Sequence, residues 1–117
     1  MIDFNIGAPY SLRDYNCWDY VAGVRKQVSI DTKLFKPTNI TNAFKLITAQ
    51  MQKLEHGLLL VTTKQDFDIV IVKKGSTYHC GLCYGADVMH CSRQLKQVVK
   101  ESFTEFVKPY ESYTLWR

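Results

Sequence analysis

Tyr78-His79-Cys80-Gly81-Leu82-Cys83-Tyr84-Gly85-Ala86-Asp87-Val88-Met89-His90-Cys91 is the stretch that organises this chain. Two runs of strand-forming residues flank Gly85-Ala86, which predicts a tight hairpin with Gly85 at the first central position of a type II′ turn. Tyr84 then faces Asp87, Gly81 lies opposite His90, and Cys80 lies opposite Cys91. His79 stands two residues from Gly81, hence on the same face as His90 and diagonal to it, roughly 7–8 Å away in backbone terms. Gly81 leaves space for the two imidazoles to meet. A three-residue loop would change the parity and send His90 to the other face.

Around this hairpin, residues 67–72, 97–100 and 113–116 also read as short strands, with a helical turn over 103–107 before the last one. Leu58-Leu59-Leu60-Val61 suits a buried strand or a helix end. Toward the N-terminus the period changes. Phe44, Ile47 and Met51 mark an amphipathic helix over 42–54, after the break at Pro37 and with Gly57 as its stop. A first helix runs from Cys17 to about Val28, with Trp18, Val21, Ala22, Val24 and Val28 at helical spacing. Asn16 is its N-cap and Asp19 places a negative charge in its first turn. Residues 1–15 read as an irregular arm in which Pro9 restricts Ala8. Helices followed by an antiparallel sheet indicate an α+β fold in a single domain over residues 1–117.

The chain is 117 residues long with a formal charge of +4. Almost half of it is apolar or aromatic, which supports a packed core and argues against disorder. The basic residues are scattered instead of forming a block, so no nucleic-acid partner is expected. No apolar run approaches the ~20 residues of a membrane span. The first fifteen residues have neither a basic start nor a hydrophobic stretch of signal-peptide length, so the chain is not expected to direct its own export. Its four cysteines are expected as free thiols.

Cys17 carries the chemistry. A cysteine on the first turn of a helix sits at the positive end of the macrodipole, which favours the thiolate. A thiolate with a histidine base in reach is an acyl-transfer nucleophile, and such partners meet in space, not along the chain. By itself the thiol could equally be redox-active, metal-binding or merely buried.

Taken in order, these segments resemble the NlpC-type cell-wall endopeptidases, compact papain-like cysteine peptidases. Gly7-Ala8-Pro9-Tyr10 resembles the family's Gly-x-Pro-Tyr segment, and Asn16-Cys17 its Asp-Cys nucleophile turn. Phe67-Asp68-Ile69-Val70 is similar to the strand written Gly-Asp-Leu-Val. Residues 78–85 resemble the base-bearing strand His-Val-Gly-Ile-Tyr-Leu-Gly, and Val88-Met89-His90-Cys91 the strand bearing the third polar residue. The resemblance spans nearly the whole chain. It implies a papain-like domain whose N-terminal helices carry the nucleophile against a small antiparallel sheet. It further implies Cys17 as nucleophile, His79 as base, His90 as the residue orienting it, and Tyr10 lining the nucleophile and aiding the oxyanion site. The implied substrates are peptidoglycan stem peptides, cut beside γ-linked D-glutamate, with no cofactor.

Two positions depart from the pattern. Trp18-Asp19 stands where most members have Ser-Gly, a variant associated with phage-encoded members, and Asn16 replaces Asp. Together with the missing export signal, this places the expected setting in a virion. The chain would be the peptidase of a phage tail tip or baseplate, with tail proteins as partners, made in the host cytoplasm and acting at the cell wall. A catalytically silent tail structural protein retaining the fold, or a CHAP-type amidase lysin, are the alternatives. Zinc is the rival reading of His79, Cys80, Cys83, His90 and Cys91. Cys80 and Cys83 fall on opposite faces of a regular strand, so no metal site is expected. Cys80 and Cys91 read as core thiols on the face away from the site.

Overall fold

Asn16 starts the first helix with both of its polar ends. Its Oδ1 accepts from the Trp18 and Asp19 amides at 3.0 Å each, while Asp19 Oδ2 accepts from the Asn16 amide at 3.2 Å. This capping box satisfies amides that have no carbonyl partner inside the helix. Loss of such a cap typically costs about 0.5–2 kcal/mol. It fixes Cys17 as the first residue of helix α1 (Cys17–Gln27). Trp18, Tyr20, Val21 and Val24 turn inward and are buried. At the far end of the helix Arg25 is buried too, its Nε donating to Thr32 Oγ1 at 2.8 Å and Nη1 to the Phe67 carbonyl at 2.6 Å.

The computed structural model describes residues 1–12, 14–32 and 58–117. The helix expected over 42–54 and its Gly57 stop lie outside the described residues. Within them, six antiparallel strands form one sheet in the order β1-β6-β2-β3-β4-β5. The strands are β1 (Leu60–Val61), β2 (Ile69–Lys74), β3 (Thr77–Tyr84), β4 (Asp87–Ser92), β5 (Gln97–Ser102) and β6 (Ser112–Trp116). A short helix, α2 (Phe103–Val107), is capped by Ser102, whose Oγ accepts from the Glu105 amide. The protein is thus a small α+β domain with an antiparallel sheet and, among the described residues, two helices.

Strand alternation divides the core. Ile69, Ile71, Cys80, Leu82, Met89, Cys91, Val98 and Trp116 pack with α1 on one face. Val70, Val72, Cys83, Val88 and Leu115 pack with Phe106 of α2 on the other. Residues 69–72 therefore read as an unbroken apolar run because both of their faces are covered. The run at 58–61 behaves differently: Leu58 is buried ahead of the strand, but Leu59 and Leu60 are 59% and 61% exposed and the short outer strand β1 is not buried, so the buried strand expected there is not formed. The N-terminal arm is more ordered than expected. Its Gly7 amide donates to the Val98 carbonyl at 2.9 Å and its Tyr10 amide to the Lys96 carbonyl at 3.0 Å, which lays it along the free edge of β5.

The hairpin has the expected turn. Gly85 has φ +59° while Ala86 is not left-handed, as a type II′ turn requires, and Tyr84 pairs with Asp87. The rungs continue through Cys83↔Val88 and end at Leu82↔Met89. Beyond that rung the ladder between β3 and β4 stops, whereas β3 stays paired with β2 as far as Lys74↔Thr77. Cys80 and Cys91 are accordingly not rungs of one ladder. The corner ahead of α1 approaches here: Cys91 Sγ donates to the Tyr15 carbonyl at 3.5 Å, and Cys17 touches Cys80.

Gly81 still neighbours His90. A Cβ on Gly81 would sit 2.4 Å from Val88 Cγ1, 3.3 Å from His90 Cβ and 3.2 Å from Phe106 Cζ. The first contact is too close to stand, so the Val88 side chain or the backbone must shift. Gly81→Ala should lower unfolding free energy by about 1–3 kcal/mol in urea titration, the usual range for overpacking a filled core. An unchanged midpoint would show that the hairpin can relax around the methyl group.

Candidate active site

Three elements deliver the site. Helix α1 brings Cys17 by its N-cap, β3 brings His79, and β4 brings His90 from the neighbouring strand on the same face. His79 Nε2 lies 2.9 Å from His90 Nδ1, so the diagonal expected from the hairpin parity is closed by direct contact. Phe106 packs against both rings, with centroids 5.8 Å from His79 and 4.7 Å from His90. His90 is buried at 6% exposure.

Cys17 is 2% exposed and its sulfur is in hydrogen-bond contact with His79 and with Cys80. With His79 Nε2 turned to His90, Nδ1 is the ring nitrogen left for Cys17. Burial pushes the Cys17 thiol up. The proton donated by the Cys80 thiol, the charge and N–H of His79, and the Cys80 amide outweigh burial and hold it well below the ordinary thiol value. The helix N-terminus acts in the same direction. Cys80 moves the opposite way, well above its ordinary value, through burial and through holding the proton it shares with Cys17. Of the two touching sulfurs, the one beside the imidazole ionises.

This corrects one expectation. Cys80 belongs to the core on the α1 face, as expected, but it is not a bystander there, since it donates to the Cys17 sulfur from both its thiol and its amide. Those groups are available because β4 has left the ladder at this level. Cys83 and Cys91 are pushed up to about 12 by burial, and all four cysteines are free and buried. Among the described residues no group of three or more histidines, cysteines and carboxylates is placed to hold a metal ion.

Tyr10 borders the same cleft as Cys17. Its phenol is raised above the ordinary value by partial burial and then by the negative charge of Cys17, so it stays an O–H donor. The Cys17 amide, at the first helical position, has no carbonyl to bond within the helix. The cleft holds about 550 Å³, a size suited to a peptide segment. Its walls are the β4–β5 turn with Arg93 and Leu95, the start of β3, and α2 with Pro109 and Tyr110 beyond it.

The structure thus brings Cys17, His79, His90 and Tyr10 to one cleft. It adds two residues that the sequence reading did not reach. Phe106 supports both imidazoles, and Glu101 Oε2 lies 2.5 Å from His90 Nε2. The expected strand ended at residue 100, whereas β5 continues to Ser102 and pairs Glu101 with Val88, two residues from His90 on its own face. Carrying the alternation one rung further would have found it. Asp68, a position of the quoted strand motif, is structural: it is 1% exposed and accepts from Arg117 Nε at 2.8 Å and Nη2 at 2.9 Å.

No helix among the described residues is long and apolar enough to cross a membrane. The chain matches no model of a known protein family, and no curated protein is significantly similar to it in sequence.

The thiol values make a direct prediction. Cys17 is lowered and the other three cysteines are raised, so iodoacetamide at pH 7 should modify Cys17 first, with labelling persisting well below pH 9. In His79→Ala, burial acts with less opposition and the Cys17 value rises. Its labelling rate at pH 7 should fall at least about tenfold, since each unit of pKa above the working pH removes tenfold of the thiolate. Peptide mapping by mass spectrometry reads both effects.

Proposed function

We propose that this protein is a cysteine peptidase of the NlpC type that hydrolyses peptidoglycan stem peptides. The observation that carries the reading is a buried, low-pKa Cys17 in contact with His79, itself held by His90, at the base of a peptide-sized cleft. The order of the motifs along the chain supports the family, and the papain-like arrangement of a helix-borne thiol against a sheet-borne imidazole agrees with it.

The Cys17 thiolate attacks the scissile carbonyl carbon, and the carbonyl π electrons move onto oxygen. The Cys17 amide and the Tyr10 hydroxyl are assigned as the donors to that oxyanion; losing one such donor typically costs about 10²–10³ in turnover. His79 then gives its proton to the leaving nitrogen as the carbon–nitrogen bond breaks, which leaves a thioester on Cys17. A water molecule enters, His79 takes its proton, and hydroxide displaces the sulfur. The products are a free carboxylic acid and a free amine, and the thiolate and protonated His79 are restored. His90 keeps the ring of His79 from turning away.

Trp18-Asp19 after the nucleophile favours a phage-borne member, acting at a tail tip or baseplate where the wall must be opened locally. Its partners there would be tail proteins.

Purified protein incubated with defined muropeptides, with products followed by mass spectrometry, tests the reading. New amine and carboxylate termini are expected beside γ-linked D-glutamate, with turnover reduced at least about 10³-fold in Cys17→Ser. Cleavage that persists in Cys17→Ser would remove the thiol from the mechanism. Absence of cleavage by the unaltered protein would leave a structural component with a peptidase-like cleft.

A further inference from the structure

The file of hydrogen bonds continues past His90. Its Nε2 meets Glu101 Oε2 at 2.5 Å and its Nδ1 meets His79 Nε2 at 2.9 Å. An ionised carboxylate can only accept, so the proton in the first contact sits on His90 Nε2. A neutral imidazole carries a single N–H, which leaves His90 Nδ1 as an acceptor. The proton in the second contact is therefore on His79 Nε2. These protons are assigned from the hydrogen-bond pattern, and they leave His79 Nδ1 as the one ring nitrogen able to exchange a proton with Cys17.

We propose that Glu101 is a positioning residue: by accepting from His90 Nε2 it sets the tautomers of both imidazoles and aims the basic nitrogen of His79 at the Cys17 sulfur. The proposal rests on the reading of Cys17 and His79 as nucleophile and base.

His90 must stay neutral for this file to work, because two charged rings would present N–H groups to each other. It does so: burial and the nearby charge of His79 bring it down to about 4, against a smaller upward pull from Glu101. The positive charge paired with the thiolate accordingly rests on His79 alone. The Glu101 side chain is 38% exposed, so solvent screens its field, and it acts through a directed hydrogen bond more than through its charge. The other ionisable groups around the file are Tyr10 on the N-terminal arm, Tyr78 and Cys80 on β3, Arg93 after β4, Glu105 on α2 and Tyr110 after it. Arg93 and Glu105 are exposed, and Tyr10, Cys80 and Tyr110 stay protonated through neutral pH.

Two measurements test the proposal. ¹⁵N NMR of the histidine-labelled, unaltered protein near pH 7 should show His90 as the Nε2–H tautomer; an Nδ1–H tautomer at His90 overturns the proposal without any variant. Glu101→Leu should slow Cys17 alkylation at pH 6 and lower kcat on muropeptides by roughly 10–100-fold with little change in KM, the range seen when an orienting partner is removed. Glu101→Asp should restore part of both losses. Thermal melts accompany each variant, and a folded Glu101→Leu protein with an unaltered alkylation profile overturns the proposal. If the unaltered protein cleaves no muropeptide while alkylation still depends on Glu101, the peptidase reading fails and the positioning role stands.

Discussion

The site depends on a sulfur atom standing where two strands have separated. β3 and β4 leave the hairpin turn as a regular pair, yet their ladder ends at Leu82↔Met89. Past that point β3 keeps its partner on the other side, so the sheet opens instead of fraying. The amide and thiol of Cys80 then point at Cys17, and two donors converge on one sulfur. Without them the burial of Cys17 would favour a neutral thiol. With them, and with His79 adjacent, burial becomes an advantage, because a dry setting strengthens every hydrogen bond to the anion.

Other residues serve the same opening. Gly81 is the position where β3 passes closest to Val88 and Phe106, and its missing side chain lets His79 and His90 meet. Phe106 closes the space over the two rings from the opposite side of the sheet to α1. Thus α2, only five residues long, matters for what it holds more than for its own stability. The capping box of α1 and the short contact of Tyr15 with Cys91 fix the approach of the nucleophile from the other face.

Much of this was legible in the sequence, and the legible parts share a cause. The helix start at Cys17 and the hairpin at Gly85 are set by local rules, a side chain bonding its own helix and a glycine adopting φ +59°. From those two features, the shared face of His79 and His90 followed by counting. The parts that escaped are set by distant segments. Cys80 looked like a core thiol because nothing within β3 reveals that β4 turns away. Glu101 looked like the residue after a strand because an exposed charged residue gives no sign of where an edge strand ends. Leu59 and Leu60 looked buried because composition does not tell a central strand from an outer one. Phe67 is a different case: it holds φ +70°, where the resembled motif has glycine, and its ring packs 5.4 Å from that of Tyr84.

The parted strands also determine when the chain becomes chemically dangerous. In an unfolded or half-assembled chain Cys17 is an ordinary thiol, since its donors lie on β3 and its imidazole is oriented only once β4 and β5 have docked. Folding is therefore what lowers the Cys17 thiol below its ordinary value. A nascent or partly unfolded copy presents an ordinary thiol to its neighbours, and reactivity appears together with the cleft that borders it.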